Sequence, residues 1–301
     1  HRDFADRLRF ARLWRGPAAA ALASPHGGGG DPLTFDEIDA AVVRERAGKG
    51  SAVVEVEFEA QLPSIIARAG FAGDFHLVGQ WFPKLGVFEG ARGWNCHQYH
   101  ANSEFFADFG SYRVTLNLPH GWVVGATGVE ISRVEEPSDP GRGLQVVVTA
   151  DRVHDFAWTA APGSLMAAVD ADFEPGRDVP QVWLDRAVNT LGLSAASLEL
   201  PPTRLRLLLP RTRLGSAERN LDATRIGLAW HGLWYGPYPY PQLTVVVPPF
   251  AADEAGGMEY PTFITGFGGV MSPVALLRWP LTIENVVVHE VGHQYFYGLV
   301  A

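Results

Sequence analysis

Two histidines and a glutamate near the end of the sequence have the types and spacing of a metal site. In the segment HEVGH, His289 and His293 are four residues apart and Glu290 follows the first histidine. On a helix these histidines project from one face, where two neutral imidazoles can bind one zinc ion at about 2.0–2.1 Å each. Glu290 leans toward the same groove and can take a proton from water and deliver it to a leaving amine. The pattern predicts a zinc-dependent hydrolase.

The flanking residues favour a buried helix for this motif. Valines precede it at 286–288 and aromatic residues follow it at 295–297, which is too apolar for an exposed helix. The alternative is a core helix whose histidines are satisfied by hydrogen bonds and whose Glu290 is exposed. Composition alone would produce HExxH in on the order of one such chain in a hundred, so the metal site is preferred.

A second motif, GGMEYP, begins at Gly256. The pair Gly256 and Gly257 lets a backbone lie close to a ligand, and Glu259 after Met258 places a carboxylate on a predicted edge strand. Taken alone, the segment is better explained as a glycine turn with a solvated glutamate. The segment becomes informative because it precedes HEVGH by about thirty residues.

The elements that would position these residues fall into two groups. Alternating apolar and polar residues joined by Gly/Pro turns predict an antiparallel β-sandwich or saddle, with strands at 51–62, 112–128 and 144–153. Later segments alternate between strand and helix patterns, which predicts an α/β domain. Its elements are helices over 178–193, 216–236 and 281–298, strands over 203–210 and 241–250, and an edge-like strand in MEYPTFITGF. Gly192 and Gly298 are predicted to end two of the helices.

Composition limits the classes of partner. The chain has 301 residues and a net charge of 24 minus 33, or −9, without a basic stripe. These features argue against nucleic-acid binding, and no apolar run approaches the ~18 residues of a membrane span. The single cysteine excludes an internal disulfide framework. Compartment and oligomeric state cannot be read from the sequence.

The predicted organisation is a poorly defined segment over 1–34, a β-saddle domain over 35–175 and an α/β domain over 176–301. The first segment combines an arginine-rich stretch, which could form an amphipathic helix, with a run of four glycines.

The two motifs together resemble the aminopeptidase N-like family of zinc metallopeptidases, or gluzincins, in which G-x-M-E-N precedes HExxH by about this distance. The segments VGQWFPKLGVFE, WNCHQYHANSEFFADFGSYRVTLNLPHGWVVGATG and GLWYGPYPYPQLTVV are similar to a bacterial branch of the family. The resemblance covers roughly residues 50–301. It implies an N-terminal β-saddle followed by the truncated start of a thermolysin-like catalytic domain, and an enzyme that removes N-terminal residues from peptides with a free amine.

The resemblance also implies roles for individual residues. Zinc would be bound by His289 and His293, with Glu290 as the general base. Glu259 would bind the substrate's α-amine. The backbone of the residues before it would line the substrate strand, and these residues are Gly256, Gly257 and Met258. Gln80, in GQWFP, is a candidate for the amine-binding glutamine of the N-terminal domain.

The sequence departs from the family pattern in two places. Tyr260 stands where the commonest signature has asparagine, which bears on substrate preference. The family's third zinc ligand is a glutamate ~18 residues beyond the second histidine, and no acidic residue follows His293 here. We therefore expect these 301 residues alone to hold zinc loosely or not at all and to lack peptidase activity, unless another chain supplies a carboxylate.

Three alternatives stay open at this point. The chain could be a non-catalytic peptide-binding protein of the same fold, or a zinc endopeptidase, although a carboxylate closing the cleft favours a free amine. Cys96, His97 and His100, with His76 upstream, could form another metal site, but their aromatic neighbours favour a packed loop.

Overall fold

The structure is a computed structural model that describes residues 8–10, 56–65, 68–95, 104–138, 142–267 and 282–299. The chain divides into two compact units, His1–Gln61 and Leu62–Ala301. In the first unit, strand β1 (Leu8–Phe10) pairs antiparallel with β2 (Phe58–Ala60). The amphipathic helix considered for the N-terminal segment is therefore wrong at residues 8–10, where pairing with β2 determines the conformation. The rest of that segment lies outside the described residues.

The second unit contains two larger antiparallel sheets. One has the strand order β7-β10-β9 and the other β3-β4-β11-β8, and a short β5-β6 pair accompanies them. The strands are β3 Gly70–Ala72, β4 Phe75–Val78, β5 Val87–Phe88, β6 Trp94–Asn95, β7 Gly110–Leu118, β8 Trp122–Ala126, β9 Val129–Glu135, β10 Leu144–Val153 and β11 Trp158–Pro162. The predicted strand over 144–153 is confirmed. The segment 112–128 forms two strands rather than one, β7 and β8, which belong to different sheets, since Gly121 makes a turn at φ +76°.

A five-stranded mixed sheet follows, in the order β12-β13-β14-β16-β15. Its strands are β12 Met166–Phe173, β13 Thr203–Pro210, β14 Gln242–Val246, β15 Met258–Tyr260 and β16 Phe263–Thr265. The central strands β13, β14 and β16 run parallel, and β13 and β14 are rich in leucine and valine, as expected for strands covered on both faces. The single edge-like strand predicted in MEYPTFITGF is wrong. It is two antiparallel strands because Thr262 turns the chain at φ +56°.

The four-stranded and five-stranded sheets share one hydrophobic core. Phe75, Leu208 and Phe263 are among its buried members. The sheets approach closely at Gly125, where a Cβ would lie 2.8 Å from a methyl carbon of Leu208. The predicted domain boundary at residue 175 lies inside the second unit. It falls between β12 and β13, which pair with each other along the whole of β12.

Three α-helices of ten residues or more lie in the described part of the second unit: α1 (Gln181–Leu191), α2 (Ala217–Tyr235) and α3 (Thr282–His293). Helix α1 ends at Gly192, which has the left-handed conformation at φ +66°, as predicted. Helix α2 connects the parallel strands β13 and β14. None of the helices in the described ranges is long and apolar enough to cross a membrane.

Helix α3 carries HEVGH and ends at His293, five residues before the predicted end at Gly298. The prediction was wrong because Gln294–Gly298 forms a turn in which Tyr297 has φ +86°. Gly298 closes this turn, since its N–H donates to the carbonyl oxygen of His293 at 2.9 Å.

Glycines let α2 approach α3 closely. A Cβ on Gly227 would lie 3.0 Å from the Cβ of Val291, and a Cβ on Gly292 would lie 3.3 Å from the ring of His231. The His231 ring also lies with Nε2 3.1 Å from the carbonyl oxygen of Val288. Helix α2 is therefore the neighbour that fixes the back of the HEVGH helix.

We predict that Gly227→Ala lowers the free energy of unfolding by about 1 kcal/mol. Overpacking against the stiff Val291 costs about 1–3 kcal/mol, and the gain in helix propensity offsets only about 1 kcal/mol of that. Urea denaturation measures the change. Gly215→Ala is the control, because nothing lies within 4 Å of a Cβ there. An equal effect of both substitutions would show that the helix contact is not tight.

Candidate active site

The two histidines of HEVGH lie side by side on α3. Their Nε2 atoms are 3.0 Å apart and their ring planes are nearly perpendicular, at 87°. The Nδ1 atom of His293 lies 3.3 Å from the carbonyl oxygen of Phe296, which helps to orient that ring. His289 is exposed and His293 is half-buried. Both Nε2 atoms can therefore reach one external atom.

Glu290 is buried on the same helix, with 5% of its surface exposed. Its Oε2 atom has no hydrogen-bond partner among the described residues. Burial, together with the nearby carboxylates of Glu259 and Glu104, raises the pKa of Glu290 to about 8, and Arg68 opposes this in part. A divalent cation at the histidines would lower this pKa again, because it favours the charged carboxylate. The alternative of an exposed Glu290 is wrong.

Glu259 lies on β15, the terminal strand of the five-stranded sheet, and is 7% exposed. Because successive strand residues face opposite sides, its neighbours Met258 and Tyr260 enter the core while Glu259 faces away from it. Burial and the Glu104 carboxylate raise the pKa of Glu259, whereas His293 and Arg68 lower it. The solvated-glutamate alternative for GGMEYP is therefore wrong.

The glycine pair before β15 is needed for local geometry. Gly257 has φ +71°, and a Cβ there would lie 3.5 Å from Oε1 of Glu290. A Cβ on Gly256 would lie 3.0 Å from the carbonyl oxygen of Gly266. The N–H of Gly257 donates to Thr265 and that of Gly256 to Asp253. Both of these backbone N–H groups are therefore already engaged within the fold.

A buried glutamine that sequence reasoning missed joins α3 to β15. The side chain of Gln294, 1% exposed, accepts a hydrogen bond from the N–H of Thr262 at 2.7 Å and donates to the carbonyl oxygen of Tyr260 at 3.1 Å. Thr262 also accepts a bond from the N–H of Gly128 at 2.7 Å. Both motifs are thus tied together by a residue just outside HEVGH.

An ion pair beside β15 was also missed. The guanidinium of Arg68 makes a two-point contact with the carboxylate of Glu104, with Nη2 2.6 Å from Oε1. Its Nη1 atom lies 3.5 Å from the sulfur of Met258. Arg68 and Glu104 are 36 positions apart in sequence, and no local pattern marked either residue.

Gln80 lies in a separate polar network. Its side-chain N–H donates to the carboxylate of Asp155, and its Oε1 accepts a bond from Lys84 at 2.9 Å. Lys84 also contacts Asp155 at 2.7 Å. The backbone of Gln80 is left-handed, with φ +52°. The preceding Gly79 packs against β15, because a Cβ there would lie 2.0 Å from the hydroxyl oxygen of Tyr260.

The possible second metal site lies mostly outside the described residues, which do not include Cys96, His97 or His100. His76 is buried, with Nδ1 3.1 Å from the carbonyl oxygen of Asp74, and burial lowers its pKa. Among the described residues, no group of three or more His, Cys, Asp or Glu side chains is arranged to hold a metal.

Comparison with known proteins does not assign the chain. The sequence matches no known protein family and no curated protein of known function. The interpretation of the site depends on its own geometry and on the motif resemblance.

We predict that Gln294→Leu lowers the free energy of unfolding by about 2–4 kcal/mol, because it leaves a buried N–H and a buried carbonyl oxygen without their partner. Gln181→Leu serves as the control. It removes an exposed side-chain bond to Asp185 and should change stability by no more than about 0.5 kcal/mol. Urea denaturation of both variants decides the matter, and similar small effects would contradict the role given to Gln294.

Proposed function

We propose that this chain belongs to a zinc-dependent aminopeptidase that removes N-terminal residues from peptides. In this proposal the antiparallel sheets up to residue 175 form a β-saddle domain, and residues 176–301 form part of a thermolysin-like catalytic domain. The observation that carries the proposal is the arrangement of α3 against β15. This arrangement brings a two-histidine metal motif and a buried carboxylate, Glu259, to one place.

The residues present fit a zinc ion in part. Two donors at about 2.1 Å from a tetrahedral zinc lie roughly 3.4 Å apart, close to the 3.0 Å between the Nε2 atoms of His289 and His293. The unpartnered Oε2 of Glu290 is the expected neighbour of such an ion, although not a ligand. The third protein ligand is not among the described residues, so it would have to come from elsewhere.

The chain's own groups suit peptide hydrolysis. A bound zinc ion supplies Lewis acidity, which polarises a carbonyl and makes water more acidic. Glu290 would accept the proton of the attacking water and return it to the leaving amine, and burial keeps that carboxylate from being solvated. Glu290 lies beside Gly257, since a Cβ on that glycine would be 3.5 Å from its Oε1, so this carboxylate is next to the strand along which a peptide would bind.

In the proposed function, Glu259 makes the enzyme specific for substrates with a free amine. A carboxylate at the end of a cleft binds an ammonium group through charge-assisted hydrogen bonds. A continuing peptide chain would leave this buried carboxylate without a cation, which is costly. The burial of Glu259 thus favours an exopeptidase over the zinc endopeptidase. The non-catalytic peptide-binding alternative shares the amine site, and turnover separates it from the enzyme.

We predict that Glu259→Ala lowers kcat/KM for aminoacyl anilides by about 10- to 150-fold, which corresponds to about 1.5–3 kcal/mol for a lost charged hydrogen bond. The measurement uses a form of the protein with a complete metal site. Hydrolysis of N-acetylated peptides should change little, and the exposed Glu254→Ala serves as the control variant. Equal loss on both substrate types would reject Glu259 as the amine anchor.

We predict that Glu290→Gln keeps zinc at the level of the unmodified protein while turnover falls by about 10²–10⁴-fold, because this residue moves protons without binding metal. Metal analysis after dialysis, paired with the anilide assay, measures both quantities. His289→Ala is the contrasting variant and should lose the metal as well. A near-normal rate in zinc-loaded Glu290→Gln would show that another group is the base.

A further inference from the structure

His231 projects from α2 onto the backbone of α3. Its Nε2 atom lies 3.1 Å from the carbonyl oxygen of Val288, and a Cβ on Gly292 would lie 3.3 Å from the Cε1 and Nε2 atoms of the ring. These two positions are four residues apart, so they lie one turn apart on one face of the helix. Each is the residue immediately before a histidine of HEVGH. One ring therefore contacts the backbone beside both proposed metal ligands.

The surroundings of this ring determine where its proton lies. A carbonyl oxygen only accepts hydrogen bonds, so the Nε2 of His231 carries the proton and donates it to Val288. The Nδ1 atom is buried and has no hydrogen-bond partner among the described residues, which disfavours a second proton there. Burial accordingly lowers the pKa of His231, and its bond to Val288 opposes this in part. The ring is therefore a neutral Nε2–H donor near pH 7.

The turn of α3 that carries both histidines is a weak helix former. HEVGH is the C-terminal end of α3, which stops at His293, and it contains Gly292, a residue type among the poorest helix formers. A larger side chain at 292 would press on the ring of His231. Tyr235 and Tyr295 also pack near this ring, each with its centroid 5.9 Å away. The ring thus has a fixed place against a turn that its own sequence stabilises poorly.

The contact of His231 covers the same length of helix as the metal motif. If this last turn unwinds, His289 and His293 no longer project from one face, and their Nε2 atoms, 3.0 Å apart in the structure, separate. We propose that His231 is a positioning residue that keeps the end of α3 helical, so that both histidines can share one metal ion. The proposal rests on the proposed function, in which these histidines bind zinc.

The first measurement needs no metal. Amide hydrogen exchange of the whole chain is followed by NMR at Gly292 and His293, and at Val287 in the middle of α3. His231→Leu removes the donor but keeps a side chain of similar size. It should make exchange at Gly292 and His293 about tenfold faster, as the loss of one hydrogen bond would, and change Val287 by less than about twofold. His231→Gln should restore the rates to within about threefold, because its amide N–H replaces the Nε2–H.

The second measurement is the affinity for Zn²⁺, added alone and followed by the NMR signals of the ¹⁵N-labelled rings of His289 and His293. Changes beside metal ligands typically lower affinity by about 10- to 100-fold. We expect a loss of about tenfold for His231→Leu and of no more than about threefold for His231→Gln. Leu233→Ala is the control. Leu233 is 1% exposed on α2 and about 200° around that helix from His231, so its truncation destabilises the fold but should leave Zn²⁺ affinity within about twofold.

Equal effects of His231→Leu and Leu233→Ala on either measurement would show that His231 is only a packed core residue, and would overturn the proposal. Unchanged exchange at Gly292 in His231→Leu would do the same. If His231→Leu does not fold, His231→Asn replaces it, because the shorter amide stays polar but does not reach α3.

Failure of the proposed function has a different sign. If the rings of the two HEVGH histidines do not respond to a large excess of Zn²⁺ in the unmodified chain, the two-histidine metal site is rejected. That result appears before any variant is made, whereas hydrogen exchange in the variants tests His231 without metal. The two failures are therefore distinguishable.

Discussion

The side-chain amide of Gln294 sets the relation between the two halves of the candidate site. The helix that carries the histidines and the strand that carries Glu259 are linked through this single buried group, which bonds one backbone N–H and one backbone carbonyl of the turn from Tyr260 to Thr262. Such bonds have a definite length and direction, unlike apolar contacts. Packing of α2 behind α3 holds the helix in place, but the amide determines where β15 lies against it. The geometry of the proposed chemistry thus depends on a residue that would contact no substrate.

An excess of carboxyl groups is the second feature of the site. Burial raises the pKa values of Glu259 and Glu290. The Glu104 carboxylate raises both further, and Glu259 also raises that of Glu290. Burying acidic groups together opposes folding unless cations balance them, and Arg68 is already engaged by Glu104. Clusters of perturbed carboxyls more often mark function than stability. In the proposed function, a divalent metal and a substrate ammonium are the two cations that would balance this charge.

Much of the fold could be predicted from the sequence, because hydrophobic period and glycine positions act locally. Strands β10 and β13 and helices α1 and α2 follow such patterns within one or a few residues. The early end of α3 and the division into β15 and β16 could not, since left-handed backbone conformations at Tyr297 and Thr262 determine them. For the site, the motifs led to the histidines, Glu259 and Glu290. The Arg68–Glu104 pair has no sequence signature, because it joins residues 36 positions apart.

Tyr260 lies on the opposite side of β15 from Glu259. Tyr260 is 2% exposed, and its hydroxyl lies where a Cβ of Gly79 would be. An alanine at 79 would have to displace a buried ring, so the loop that bears Gln80 can approach β15 only because this position is glycine. The amide of Gln80 is meanwhile engaged by Asp155 and Lys84. Tyr260 and Gly79 therefore determine how closely the Gln80 loop packs on the strand that carries Glu259.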